Sequence, residues 1–191
     1  MMRALFAMED GNHSQVALGG QDLSACDKGD ISELAFEIAA QKRGWIVASA
    51  RGKSKDFDAI VKRSHLIRPV TVQVKLANWA AGGSGWKPGG AYRYSFPCGR
   101  LSGPYAVTAF DVLAVHLADI DKWVFYTRAE LGNRRRSSYL PAELRKKAVR
   151  SSAPDARNPD NWELLDQVAA MYSQESLGVT QQMSHPILNT P

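Results

Sequence analysis

The chain lacks most of what identifies a small protein at sight. Its 191 residues hold only two cysteines, Cys26 and Cys98, with no C-x-x-C pair and no histidine at zinc-finger spacing. That excludes a disulfide-rich scaffold and a cysteine-based zinc site, and two lone cysteines fit a reducing compartment. No apolar run approaches the length of a membrane span, so no membrane partner is expected. The opening Met1–Ala7 is briefly apolar, but Glu9, Asp10 and His13 follow too soon for a signal peptide, and the expected location is the cytoplasm. Gly52-Lys53-Ser54 imitates the end of a phosphate-binding loop, yet Val47 stands where that loop needs its first glycine. The glycines at 82–90 lack a strand-to-helix setting, so no nucleotide cofactor is expected. There is no Gly-x-Ser-x-Gly elbow, the four histidines (13, 65, 116 and 185) share no ligand spacing, and no internal repeat is present.

What is present is ordinary globular composition, 45% hydrophobic and 23% charged, enough to bury a core without staples. The net charge of +5 is unevenly spread. Lys122–Arg150 carries nine basic and two acidic residues, whereas Met1–Glu33 carries two basic and six acidic ones. Such a basic segment reads either as a surface that tracks phosphates, densest at Arg134-Arg135-Arg136 and Lys146-Lys147, or as a solvated loop and helix face.

Residues 1–27 are rich in Gly, Ser, Asn, Gln and Asp without periodicity and read as a flexible arm. From Lys28 the pattern becomes helical: Ile31, Leu34, Ala35, Ile38 and Ala39 share a stripe, and Gly44 ends a helix expected from about Gly29 to Arg43. Three strands follow at Trp45–Ala50, Phe57–Val61 and Val70–Leu76. Residues 77–103 hold seven glycines, two prolines and several aromatics, and read as a long functional loop. Asp111–Leu117 and Lys122–Tyr126 form a strand pair, 141–150 a helix, and Trp162–Tyr172 a short helix in a polar extension, 151–191. The fold class is thus α/β (α+β), a leading helix followed by a mixed central sheet flanked by helices, with the domain at 28–150.

One constellation stands out physically. Asp58 lies within an apolar strand, where a lone carboxylate is costly unless paired or bound to a cation. In Val72-Gln73-Val74-Lys75-Leu76, alternation puts Gln73 and Lys75 on one face. A hairpin turning between Leu66 and Ile67 would set Asp58 opposite Lys75, with Gln73 two residues along the same face. The set reads either as a buried ion pair or as a site for a hard cation, built from a carboxylate, an amide oxygen and a backbone carbonyl beside a lysine.

Lys28-Gly29-x-x-x-Glu33 in the first helix, Asp58 in a strand and Gln73-Val74-Lys75 in the next resemble the PD-(D/E)xK nuclease superfamily, closest to its resolvase-like members and intron-encoded homing endonucleases. The Gly44-Trp45 turn, the Ser54-x-x-Phe57-Asp58 approach, and Asp111–Val115 followed by Trp123–Tyr126 are similar too. The resemblance spans about Lys28 to Leu131. Phe57 replaces the motif's proline, and Gln73 replaces an acidic ligand as it does in the homing subgroup. Helical periodicity gives Glu33 no role of its own, and its assignment rests on the resemblance.

The resemblance implies a restriction-endonuclease-like core and Mg²⁺-dependent hydrolysis of DNA phosphodiesters, with Mn²⁺ able to substitute. Glu33, Asp58, Gln73 and Lys75 are the implied catalytic residues. Asp58, Gln73, the Val74 carbonyl and Glu33 are the implied metal donors, and Lys75 orients the attacking water or stabilises developing charge. Lys53, Lys55, Trp86, Lys87, Arg93, Arg134, Arg135 and Arg136 are candidate DNA contacts. A homodimer or higher homo-oligomer is expected, since two strands must be cut. The alternatives are a DNA-binding module that kept the fold and lost cleavage through Gln73, or an unrelated small-molecule enzyme.

Overall fold

A computed structural model of the chain describes residues 23–50, 56–66, 68–80, 93–139 and 158–182. It opens with α1, Ala25–Lys42, four residues ahead of the expected start. Ser24 caps it: its hydroxyl accepts from the Asp27 amide, and the Asp27 carboxylate accepts from the Ser24 amide. Gly44 closes it at φ +80°, a conformation that disfavours side chains.

Five strands form the main sheet: β1 (Ile46–Ser49), β2 (Ala59–Lys62), β3 (Val70–Leu76), β8 (Val112–Leu117) and β9 (Lys122–Thr127), in that spatial order. The β3–β8 pair is parallel and the other three pairs are antiparallel, so the sheet is mixed. The α+β class expected from the sequence is the one observed.

The segment 77–103 differs from the expected loop. It contributes β4 (Asn78–Ala80), β5 (Arg93–Pro97) and, at its end, β6 (Gly99–Arg100). β5 sits between β4 and β10 (Arg136–Tyr139) in a second, antiparallel sheet, and β6 forms a short hairpin with β7 (Gly103–Pro104). Alternation explains the strand: Tyr94, Phe96 and Cys98 are buried, whereas Ser95 and Pro97 are partly exposed. One helical turn, α2 (Arg128–Leu131), follows β9, and α3 (Glu163–Gln182) is longer than the short helix expected at Trp162–Tyr172.

The main sheet is apolar on both faces. One face buries Val61, Val72, Val74, Val112 and Ala114 under α1 and α3, through Phe36, Ala40, Leu165 and Ala169. The other buries Leu113, Val115, Val124 and Tyr126 against Tyr94, Phe96 and Tyr139 of the second sheet. The stripe expected on α1 is corrected: Ser32, Phe36 and Ala40 are buried, while Ile31, Leu34 and Ile38 are exposed. His116 explains Ser32, because its Nδ1 meets the Ser32 hydroxyl at 3.3 Å.

The hairpin register is also corrected. Ala59 pairs with Val72 and Val61 with Val70, two residues away from the expected alignment, so the ladder brings Asp58 beside Gln73 instead of opposite Lys75. An even displacement preserves facing, and Asp58, Gln73 and Lys75 still share a side. Of the expected arm, 1–27, residues 1–22 lie outside the described residues and Ala25–Asp27 belong to α1 instead; the expected helix at 141–150 also lies outside them.

Candidate active site

Asp58 sits where β2 begins. Its amide donates to the Val72 carbonyl at 2.9 Å, and its carbonyl accepts from the Ala50 amide at 2.9 Å, so its backbone is tied to strands on both sides. Val72 thus turns its carbonyl toward β2, and Val74, two residues on, turns its amide and carbonyl the same way, just past the end of the β2–β3 ladder. The Asp58 carboxylate takes the place of the missing strand: Oδ2 accepts the Val74 amide at 2.7 Å. Gln73, 3% exposed, donates from Nε2 to the same Asp58 oxygen and lies 3.4 Å from the Val74 carbonyl. Three oxygen-bearing groups therefore converge at a strand edge: the Asp58 carboxylate, the Gln73 amide and the Val74 carbonyl.

Glu33 reaches this cluster from α1. Its carboxyl is pushed up to about 6, first by burial, then by the Asp58 charge, with Asp30 and Glu37 adding and Lys75 opposing. Asp58 is raised as well, by burial, against Lys75 and the Val74 amide, which both favour its charged form. The Asp58 charge thus disfavours ionisation of Glu33, with the Lys75 ammonium as the counter-charge to both. Glu37, one turn beyond Glu33, accepts a hydrogen bond from the Ser49 hydroxyl of β1 and so ties α1 to the sheet edge.

The donor chemistry suits a hard divalent cation: carboxylate, amide and carbonyl oxygens, with no thiolate or imidazole. Among the described residues no three His, Cys, Asp or Glu side chains gather at ligating distance, so a neutral donor is needed to complete the set. The Gln73 amide is assigned with its nitrogen toward Asp58; turning it over presents Oε1 to a cation shared with that carboxylate.

The predicted DNA-contacting residues divide into two groups. Lys53, Lys55, Trp86 and Lys87 lie outside the described residues, as does the side chain of Arg93. Arg134, Arg135 and Arg136 gather beside the β6–β7 hairpin: the Cys98 amide donates to the Arg135 carbonyl at 3.0 Å, and Arg135 itself donates to the Leu101 carbonyl at 2.5 Å. Two other basic residues of the Lys122–Arg150 stretch have partners within the fold. Arg128, 6% exposed, donates to the carbonyls of Tyr105, Ala106 and Gly132, and Lys122 pairs with Asp160 at 3.8 Å. The basic stretch is therefore not one continuous surface.

Sequence reasoning missed Arg100. It ion-pairs with Asp56, two residues before Asp58, and its guanidinium lies 5.4 Å from the centre of the Tyr105 ring. Tyr105 is itself raised, by burial and then by the Asp58 charge. The one signal for it in the sequence was Gly99-Arg100-Leu101-Ser102-Gly103, a turn with an arginine in it.

No family model matches the chain, and no curated protein does. Among solved structures it is similar to a bacterial homing endonuclease, I-Ssp6803I, with a TM-score of 0.58 and 20% identity. The match covers 80% of this chain and 98% of that one. The likeness is one of fold, a leading helix followed by a mixed sheet and further helices.

Proposed function

We propose that the chain is a Mg²⁺-dependent DNA endonuclease of the PD-(D/E)xK type in its Gln-x-Lys form. The observation that carries this reading is the convergence of Asp58, Gln73 and the Val74 carbonyl at one strand edge, with Lys75 and Glu33 in electrostatic reach, in a chain whose fold is similar to that of a homing endonuclease. Fold alone does not assign chemistry, and the cluster supplies what the fold does not.

Asp58, Gln73, the Val74 carbonyl and Glu33 would hold the metal, which supplies charge stabilisation at the phosphoryl oxygens and acidifies a bound water. Asp58 fixes the position, because the Val74 amide holds its Oδ2 in place. Glu33, pushed up to about 6, is ionised at neutral pH and available to a cation. Lys75 supplies a compact positive charge where the attacking water and the developing phosphorane need it. Water adds to phosphorus, the bond to the 3′-oxygen breaks, and the products carry a 5′-phosphate and a 3′-hydroxyl. Arg134–Arg136 would bind the DNA backbone, and a homodimer would cut both strands.

The test is cleavage of plasmid, linear duplex and four-way-junction DNA in Mg²⁺, with EDTA and Lys75→Ala as controls. Mg²⁺-dependent cutting that Lys75→Ala slows by about 10²–10³-fold is the expected result. A second reading has one observation behind it: the Gln73 amide satisfies Asp58 without a cation, as a non-cutting DNA-binding module would allow. DNA binding that ignores chelator, with no cutting of any substrate, would favour that reading.

A further inference from the structure

Arg100 has no role in the cluster as described, yet its surroundings place it at the cluster's rim. It lies at the end of β6, in the hairpin beside the Arg134–Arg136 group. Two of its contacts and the setting of its hairpin matter here. Its guanidinium pairs with the Asp56 carboxylate, on the chain segment that delivers Asp58. It lies over the Tyr105 ring, whose hydroxyl feels the charges of both Asp58 and Asp56. The hairpin carrying it is fixed against the arginine group: a Cβ on Gly99 would come within 2.9 Å of the Gly103 carbonyl oxygen and 3.1 Å of the Arg135 Cα, and Arg135 donates to the Leu101 carbonyl.

Resting on the nuclease reading above, we propose that Arg100 contacts the DNA phosphate seated at the Asp58–Gln73 cluster, exchanging Asp56 for that phosphate. The exchange is physically cheap. Both side chains of the ion pair are partly exposed, at 38% and 55%, and solvent-screened pairs of this kind contribute little to stability. A phosphate offers the same planar, two-oxygen face as the carboxylate and suits the guanidinium fork. The Tyr105 ring keeps the fork oriented while its partner changes. A DNA backbone that runs along Arg134–Arg136 meets Arg100 next, then the cluster. In this account Asp56 is a gatekeeper that competes with DNA for the arginine.

The test compares wild type, Arg100→Ala and Asp56→Asn on a linear duplex, with binding measured in EDTA across a salt series and cutting measured in Mg²⁺ at saturating enzyme. The expected result is that the two variants move affinity in opposite directions. Arg100→Ala should weaken binding and flatten its salt dependence by about one phosphate contact, a change of roughly 0.9 in the logarithmic slope. Asp56→Asn should tighten binding, and Arg100→Ala should also slow cutting. A merely structural ion pair predicts that both variants lower thermal stability together and shift affinity in the same direction, or not at all; either pattern overturns the proposal. If wild type fails to cut while the opposed affinity shifts appear, the nuclease reading falls and the Arg100 contact stands. If wild type cuts and neither variant changes slope or rate, the Arg100 contact falls and the nuclease reading stands.

Discussion

The two faces of the main sheet are built from the same strands and do different work. Toward the helices lies an aromatic core: Phe36 stacks on Trp162 with centroids 5.7 Å apart and meets Trp123 edge-on at 5.4 Å, and Phe125 meets Trp162 at 4.8 Å. Toward the second sheet, the core is fastened by polar anchors. Tyr94 donates to the Asp119 carboxylate at 2.7 and 2.9 Å, and Arg128 closes on three carbonyls. At the rim of that second face sit Asp58, Gln73 and Lys75. In β3 the alternation is residue by residue, with Val72 and Val74 in the helix-side core and Gln73 and Lys75 on the other side. Stability and the proposed chemistry therefore share a strand without sharing side chains, and the two should separate under mutation.

The largest effect tests the helix side. Phe36→Ala removes a fully buried ring and should cost about 3–5 kcal/mol of stability. Chemical denaturation measures that loss, and cleavage per folded molecule should stay at the wild-type rate. Loss of cleavage by the folded fraction would break the separation. On the other side, Lys75→Ala should lower the cleavage rate about 10²–10³-fold while leaving the denaturation midpoint near wild type. Single-turnover kinetics beside the denaturation curve read both quantities.

An intermediate effect comes from the seam between α3 and the sheet. The Tyr172 hydroxyl donates to Asp111 Oδ1 at 2.6 Å, while Asp111 Oδ2 accepts the amide and hydroxyl of Thr71 at 2.8 Å. Tyr172→Phe should cost about 1–2 kcal/mol, with no change in cutting, because it removes one hydrogen bond to a carboxylate. A change in cutting without a change in stability would tie this seam to the site instead.

The smallest effect is a pH signature at Glu33. Its folded pKa, about 6, stands above the ordinary 4.5, so its contribution to stability is fully present below about 4.5 and is lost as pH rises through about 6. Relative to wild type, Glu33→Gln should raise the melting temperature above pH 6 in chelator and change nothing below pH 4.5. Added Mg²⁺ should raise the wild-type melting temperature above pH 6 and do less for the variant. Melting curves across pH, with and without Mg²⁺, supply the check, and a pH-independent difference would remove Glu33 from the cluster.

The separation of faces also explains what the sequence disclosed. β3 was legible to the residue, because Val70–Leu76 is β-rich and bounded by Pro69. The common facing of Asp58, Gln73 and Lys75 was legible too, since period-2 alternation records it. The register was not: a shift of two residues leaves every side chain on the same face, so alternation cannot detect it. The buried stripe of α1 misled for a related reason. Ser32 is buried through a partner, His116, that lies 84 residues away, while Ile31, Leu34 and Ile38 form an apolar stripe that stays exposed. β5 was hidden among glycines and prolines although Tyr94, Phe96 and Cys98 alternate correctly. Arg100 was invisible because its meaning comes from Asp56 and Tyr105, which only the folded hairpin brings to it.

The central claim is that a cation held at Asp58, Gln73 and Val74 cuts DNA, and the direct measurement is plasmid cleavage as a function of Mg²⁺ concentration by wild type and Asp58→Asn. The account predicts saturable, Mg²⁺-dependent cutting by wild type and none by Asp58→Asn, with both proteins folded and binding DNA in EDTA. Equal cutting by the two proteins, or none by either at any Mg²⁺ concentration with DNA still bound, would contradict it.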